Sequence, residues 1–235
     1  QSRVYQPSSL SARLCDLNSR EVGRIVNDLR RYAAARRAKE AKETKAARAM
    51  GIEPGQPAPI LPPEANIING TFQGHAPDPG TVDVVFCDPP YPREHLPLWA
   101  DLGEWAYKAL REGGRLVAMS GQSWLPEVLD ALRGCGLDYW WTAAYLTPGG
   151  QSPQVFPRRV NTFWKPLLVF AKGDDGDRWF GDVCRSDVND NDKRFHDWGQ
   201  SESGMASVVE RFSEPGWLVA DPMCGAGTTG VAAVR

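Results

Sequence analysis

Cysteine is scarce in this 235-residue chain, and its five residues, Cys15, Cys87, Cys135, Cys184 and Cys224, are scattered and form no C-x-x-C pair. An odd, dispersed set argues against a disulfide framework and against a zinc site. His75 and His95 lie at no metal-ligand spacing, so no resident metal is expected. Long apolar runs are missing as well: charges or prolines break every one well short of the roughly 20 residues that a membrane span needs. The expectation is a protein of the reducing cytoplasm with no membrane partner. No internal repeat is visible, which sets aside solenoids and propellers. A strong net charge is also lacking, at −2, but the balance is uneven. Residues 1–50 hold 12 Lys/Arg against 5 Asp/Glu, leaving 15 against 24 in the rest. A basic arm precedes an acidic body, and the arm either attracts a polyanion or is simply a solvated helix face.

What is present reads as one α/β domain with an appendage. After Asn18, with Glu21 three residues on as a capping box, apolar residues recur at Val22, Ile25, Val26, Leu29 and Tyr32, the spacing of a helix. Residues 33–49 are almost all Ala, Arg, Lys and Glu, so that helix should continue to about residue 50 with little apolar face to bury. Gly51, Pro54, Pro57, Pro59, Pro62 and Pro63 then form a linker that cannot continue it. The expected division is an arm and linker over residues 1–64 and a single domain over 65–235. Within that domain, strands are predicted at 67–68, 82–87, 115–120, 139–146, 167–171 and 217–220, and helices at 98–110, 125–133 and 205–212. Such alternation predicts a mostly parallel, Rossmann-like sheet with helices on both faces.

Two loops carry the chemistry. Asp88-Pro89-Pro90-Tyr91 directly follows the apolar run 82–87, which places it in the crevice at a strand's carboxyl end, where α/β sheets bind ligands. Asp and Pro favour turns for conformational reasons alone, but this tetrapeptide arises by chance in a chain of this length only about once in a thousand. The second loop, Asp221-Pro222-Met223-Cys224-Gly225-Ala226-Gly227-Thr228-Thr229, again follows a strand and opens a helix. Its glycines permit tight turning and close approach of a ligand. It lacks the Lys of a phosphate-cradling P-loop, so a cofactor without a triphosphate fits better.

Together the loops resemble those of the DNA amino-methyltransferases, with a catalytic (Asp/Ser/Asn)-Pro-Pro-aromatic tetrapeptide and a cofactor loop of the type Asp-Pro-Phe-x-Gly-x-Gly-Thr. The catalytic loop comes first, which looks like the circularly permuted β class. The resemblance covers about residues 66–235. Leu146-Thr147-Pro148-Gly149-Gly150-Gln151, Val160-Asn161-Thr162-Phe163-Trp164-Lys165-Pro166 and Trp198-Gly199-Gln200-Ser201-Glu202-Ser203-Gly204 are further similar to a bacterial and phage group whose members often accompany ParB-like modules. It implies S-adenosyl-L-methionine as cofactor, held by Asp221, Pro222, Met223, Cys224, Gly225, Gly227, Thr228 and Thr229 and, at its methionine end, by Gln200, Ser201, Glu202 and Ser203. It also implies a target-recognition segment over 147–199 and DNA as partner, with a homodimer left open. Arg158, Arg159, Asn161 and Lys193 from that segment, and Arg36 and Arg37 from the arm, are the expected DNA contacts. Trp164 and Trp198 stand beside the family-like stretches, whereas Trp140 and Trp141 suit a covering role in a strand.

The residues account for the chemistry. The lone pair of an exocyclic base amine is delocalised into the ring, so the nitrogen is a poor nucleophile until acceptors hold its hydrogens. Asp88 and the carbonyl of Pro89, stiffened by Pro90, supply acceptors that need not reorganise. Tyr91 offers a face for a base taken out of the duplex. By the resemblance, a leading Asp leans towards N6 of adenine; N4 of cytosine uses the same chemistry, and a non-catalytic DNA-binding subunit is the alternative of a different class. Because residues 231–234 are apolar with no capping glycine, more chain is expected beyond Arg235; the resemblance implies that it holds a further βα unit, with weak cofactor binding without it.

Overall fold

The computed structural model describes residues 65–146, 154–174, 178–185, 200–225 and 227–234. The expected arm, the linker, Trp198 and Lys193 lie outside the described residues.

The described elements are strands β1 (Val82–Cys87), β2 (Leu110–Met119), β3 (Asp138–Leu146), β4 (Gln154–Val155), β5 (Val160–Asn161), β6 (Trp164–Ala171), β7 (Val183–Arg185) and β8 (Val219–Ala220). The helices are α1 (Pro97–Ala109), α2 (Leu125–Arg133), α3 (Glu202–Phe212) and α4 (Thr228–Val234). Six strands form one sheet in the order β7-β3-β6-β2-β1-β8, and β4 and β5 form a separate hairpin. β8, β1 and β2 run parallel, as do β3 and β7, whereas β6 is antiparallel to both of its neighbours, β2 and β3. Five of the six strands therefore run the same way and β6 alone opposes them, so the sheet is mostly parallel with one antiparallel strand.

Side-chain alternation over residues 84–87 sends β1 into two cores, and the register shift after Val82 turns that residue to the face of Val85 and Cys87. Val82, Val85 and Cys87 join Trp99, Leu102 and Ala106 of α1 and Val128 and Leu132 of α2. Val84 and Phe86 join Met205, Val208, Val209 and Phe212 of α3 on the other face. Period places each helix: Trp99, Leu102, Ala106 and Ala109 of α1, and Met205, Val208, Val209 and Phe212 of α3, recur at three- and four-residue intervals on one side. Pro97 opens α1, where its missing N–H costs nothing. Ser201 caps α3, its Oγ accepting from the Gly204 amide at 3.1 Å.

Several expected boundaries moved. Residues 67–68 form no strand, and Ile67 and Ile68 are exposed. The neighbouring turn docks instead: Phe72 meets Trp105 edge-on at 6.3 Å, and the Trp105 indole donates to the His75 carbonyl. β2 starts at Leu110, opposite Val82, before a register shift at which Gly113 adopts φ +73° and the chain resumes pairing at Arg115. Trp140 and Trp141 are exposed where β3 bulges against β6, so they do not cover the core.

Candidate functional site

Strand register assembles the site. Ala220 of β8 pairs with Val85 of β1, and Cys87 of β1 pairs with Ala118 of β2. The segments that follow, Asp221 onward, Asp88 onward and Ser120-Gly121, therefore leave the same edge of the sheet from three adjacent parallel strands. This is the carboxyl-end crevice that such sheets offer to ligands.

Asp88 is the hub. Its Oδ1 accepts from the Tyr91 hydroxyl at 2.5 Å, and its Oδ2 accepts from Nε2 of Gln200. Pro89 is buried and Pro90 exposed, so the dipeptide stiffens the turn without both rings leaving the surface. Burial first, then the Asp88 charge and its hydrogen bond, hold the Tyr91 phenol well above its ordinary range, keeping it a neutral donor. The Tyr91 ring lies so close to Gly121 that a Cβ there would sit 3.1 Å from it, and the Lys165 ammonium stands 5.3 Å from the ring centroid. Tyr91 thus has its hydroxyl committed to Asp88, in addition to the ring face that the sequence suggested for stacking.

The second loop folds on Asp221, whose carboxylate accepts from the Met223 amide at 3.1 Å and from the Thr229 hydroxyl. Burial chiefly, with the charge of Asp88 adding, pushes its carboxyl up to about 6 despite those bonds. Gly225 and Gly227 have φ of +52° and +81°, in the left-handed region that glycine tolerates. Among the described residues nothing lies within 4 Å of a Cβ built on Gly227, so there the loop backbone leaves room for a ligand. Pro222 and Met223 are half-buried, Met223 against the core; Cys224 is exposed, Thr228 half-buried and Thr229 buried. Cys87, between the loops, is driven up by burial, then by Asp221 and Asp88, and stays a neutral thiol without nucleophilic character.

Among the residues expected at the methionine end of a cofactor, Ser201 is fully buried and its Oγ lies 3.2 Å from that of Ser203. Glu202 opens α3 and is half-buried. Gln200 precedes them, and its side chain reaches Asp88.

The β4–β5 hairpin stands between Leu146 and Trp164, which pair at the end where β3 leaves the sheet, so it rises from the same edge as the two loops. Arg158, Arg159 and Asn161 are exposed on it, beside exposed Phe156. Arg159 closes the turn at φ +56°. Gln122 latches the hairpin base by donating to the Trp164 carbonyl at 3.0 Å and to Thr162, and Arg158 reaches the Ser123 carbonyl at 3.4 Å. Trp164 is half-buried at this latch, while Arg36 and Arg37 lie outside the described residues with Lys193. Sequence reasoning missed Gly121 and Lys165. The signal for Gly121 was its place just past the end of β2, the same position rule that singled out the other two loops.

No family model and no curated protein matches this chain. Solved structures do. The M1.HpyAVI–SAM complex superimposes over 66% of this chain and 77% of its own, at a TM-score of 0.50 and 18% identity. TTHA0409 of Thermus thermophilus, complexed with S-adenosyl-L-methionine, covers 71% of this chain and 82% of its own, with a TM-score of 0.54 and 18% identity. PvuII DNA methyltransferase, cytosine-N4-specific, covers 69% and 74%, at 0.57 and 16%. The chain has the α/β, Rossmann-like fold of these proteins, with helices on both faces of its sheet.

Proposed function

We propose that this chain is the catalytic domain of an S-adenosylmethionine-dependent DNA methyltransferase that acts on the exocyclic N6 of adenine. The observation that carries the reading is the placement of the Asp88 and Asp221 loops side by side, at the carboxyl ends of two parallel strands. One is an acceptor-rich turn and the other a glycine loop open to a ligand. The structures that share the fold include proteins solved with S-adenosylmethionine, which supports that cofactor.

Bound there, S-adenosylmethionine supplies an electrophilic methyl group; the remaining work falls to the chain. Gly225 and Gly227 would let it approach the backbone, with Asp221, Pro222, Met223, Cys224, Thr228 and Thr229 around it and Ser201, Glu202 and Ser203 at the start of α3. Asp88 and the Pro89 carbonyl would accept the two hydrogens of the base amine, localising its lone pair, and Asp88 would stabilise the positive charge that grows on that nitrogen. Tyr91 would support both the carboxylate and the base. The hairpin residues Arg158, Arg159 and Asn161 would meet the DNA within a recognition segment spanning 147–199, and the basic arm over 1–64 would add phosphate contacts through Arg36 and Arg37.

Transfer to N4 of cytosine is the second reading, favoured by the likeness to the PvuII enzyme. Methylome sequencing of a methylation-free host expressing the chain, with Asp88→Ala as control, tests both. N6-methyladenine in a defined context supports the proposal; N4-methylcytosine transfers it to the second reading; an unmodified genome refutes both.

A further inference from the structure

We infer that Gln200 is a positioning residue for Asp88 rather than a cofactor ligand. This rests on the proposed role of Asp88 and adds to it. A carboxylate can only accept, so it is the amide NH2 of Gln200 that faces Oδ2. The Tyr91 hydroxyl takes Oδ1. A carboxylate has about four lone-pair sites, and two donors held on separate segments fix its plane while leaving about two sites for the hydrogens of a base amine. The two donors differ in origin: Tyr91 belongs to the same turn as Asp88, whereas Gln200 comes from 112 residues away.

That distant segment is itself anchored. Ser201, the next residue, is fully buried and caps α3 through the Gly204 amide, and Gly204 packs against Tyr145 so closely that a Cβ there would collide with its hydroxyl oxygen. Gln200 is thus a donor on a rigid mount, aimed at a carboxylate whose own loop has no other side-chain partner than Tyr91 among the described hydrogen bonds. The arrangement makes the orientation of Asp88 depend on the start of α3, the segment that would also border the cofactor.

The full chain with Gln200→Ala and Gln200→Glu tests this. Gln200→Ala should lower kcat by about 10- to 100-fold, the usual cost of removing a group that orients a working one, with the KM for DNA and the calorimetric affinity for S-adenosylmethionine unchanged. Gln200→Glu keeps the shape, but its ionised form cannot donate and places a second negative charge beside Asp88, near Asp221, with Tyr91, Tyr145, Cys87, Cys224, Lys165 and Glu202 as further titratable groups around the site among the described residues. Its activity relative to wild type should therefore climb as pH falls and the new carboxyl regains a proton to donate. Wild-type turnover in Gln200→Ala, a loss of cofactor affinity that accounts for its rate defect, or a pH-independent ratio for Gln200→Glu would overturn the inference. A wild-type protein that methylates no base amine would instead refute the proposed function.

Discussion

Asp221 begins its loop one residue beyond Ala220, which pairs with Val85, and its carboxylate feels the charge of Asp88 at the end of the neighbouring strand. Burial is the larger influence, and together they raise its carboxyl to about 6 from 3.8. The folded protein therefore holds a proton on Asp221 that the unfolded chain gives up at lower pH. Its contribution makes folding stability fall as pH rises from about 4 to about 6 and level off above. Thermal unfolding between pH 4 and 8 should show that fall in wild type and a flatter profile in Asp221→Asn. A steeper profile in the variant would place the shift elsewhere.

Asp88→Ala should reduce methyl transfer by at least about 10²–10³, the loss expected for one oriented group that acts in the transition state. Because Asp88 is only half-buried and packs no core, the melting temperature should stay close to wild type. Near-normal turnover in the variant would remove Asp88 from the chemistry.

Gly204→Ala should destabilise the protein by about 1–3 kcal/mol, the range for an overpacked site. The added methyl would meet the hydroxyl and ring of Tyr145, which is itself buried at 2% exposure and has little room to yield. Chemical denaturation measures the change, and an unaltered midpoint would show that α3 can slide away from β3.

Both loops were legible in the sequence because each is a short signature directly after an apolar run, and strand ends in α/β sheets are where ligands bind. The two helices flanking β2 were legible from their period. Direction was not: nothing in Trp164–Ala171 announces that this strand runs against its neighbours, since a strand buried on both faces reads alike either way. Ile67 and Ile68 look like strand residues by type, yet β-propensity describes a fit to a sheet surface that no described strand supplies here. The bond from Gln200 to Asp88 lay beyond reach because it joins residues 112 apart through the packing of α3, which no local spacing encodes.

Arg158 and Arg159 stand exposed on the hairpin and should contact phosphates. Each true contact contributes roughly 0.9 to the slope of log K against log salt on duplex DNA. The double variant Arg158→Ala, Arg159→Ala should lower that slope and weaken binding to specific and nonspecific duplexes alike. An unchanged slope would assign the hairpin to contacts with bases or with the protein itself.

Transfer of an isotopically labelled methyl group decides whether this chain methylates adenine. The purified chain is incubated with labelled S-adenosylmethionine and genomic DNA from a methylation-free host, and the digested nucleosides are analysed by mass spectrometry. Label is expected on N6-methyldeoxyadenosine with wild type and none with Asp88→Ala. Label confined to N4-methyldeoxycytidine, or no labelled nucleoside at all, would contradict adenine methylation.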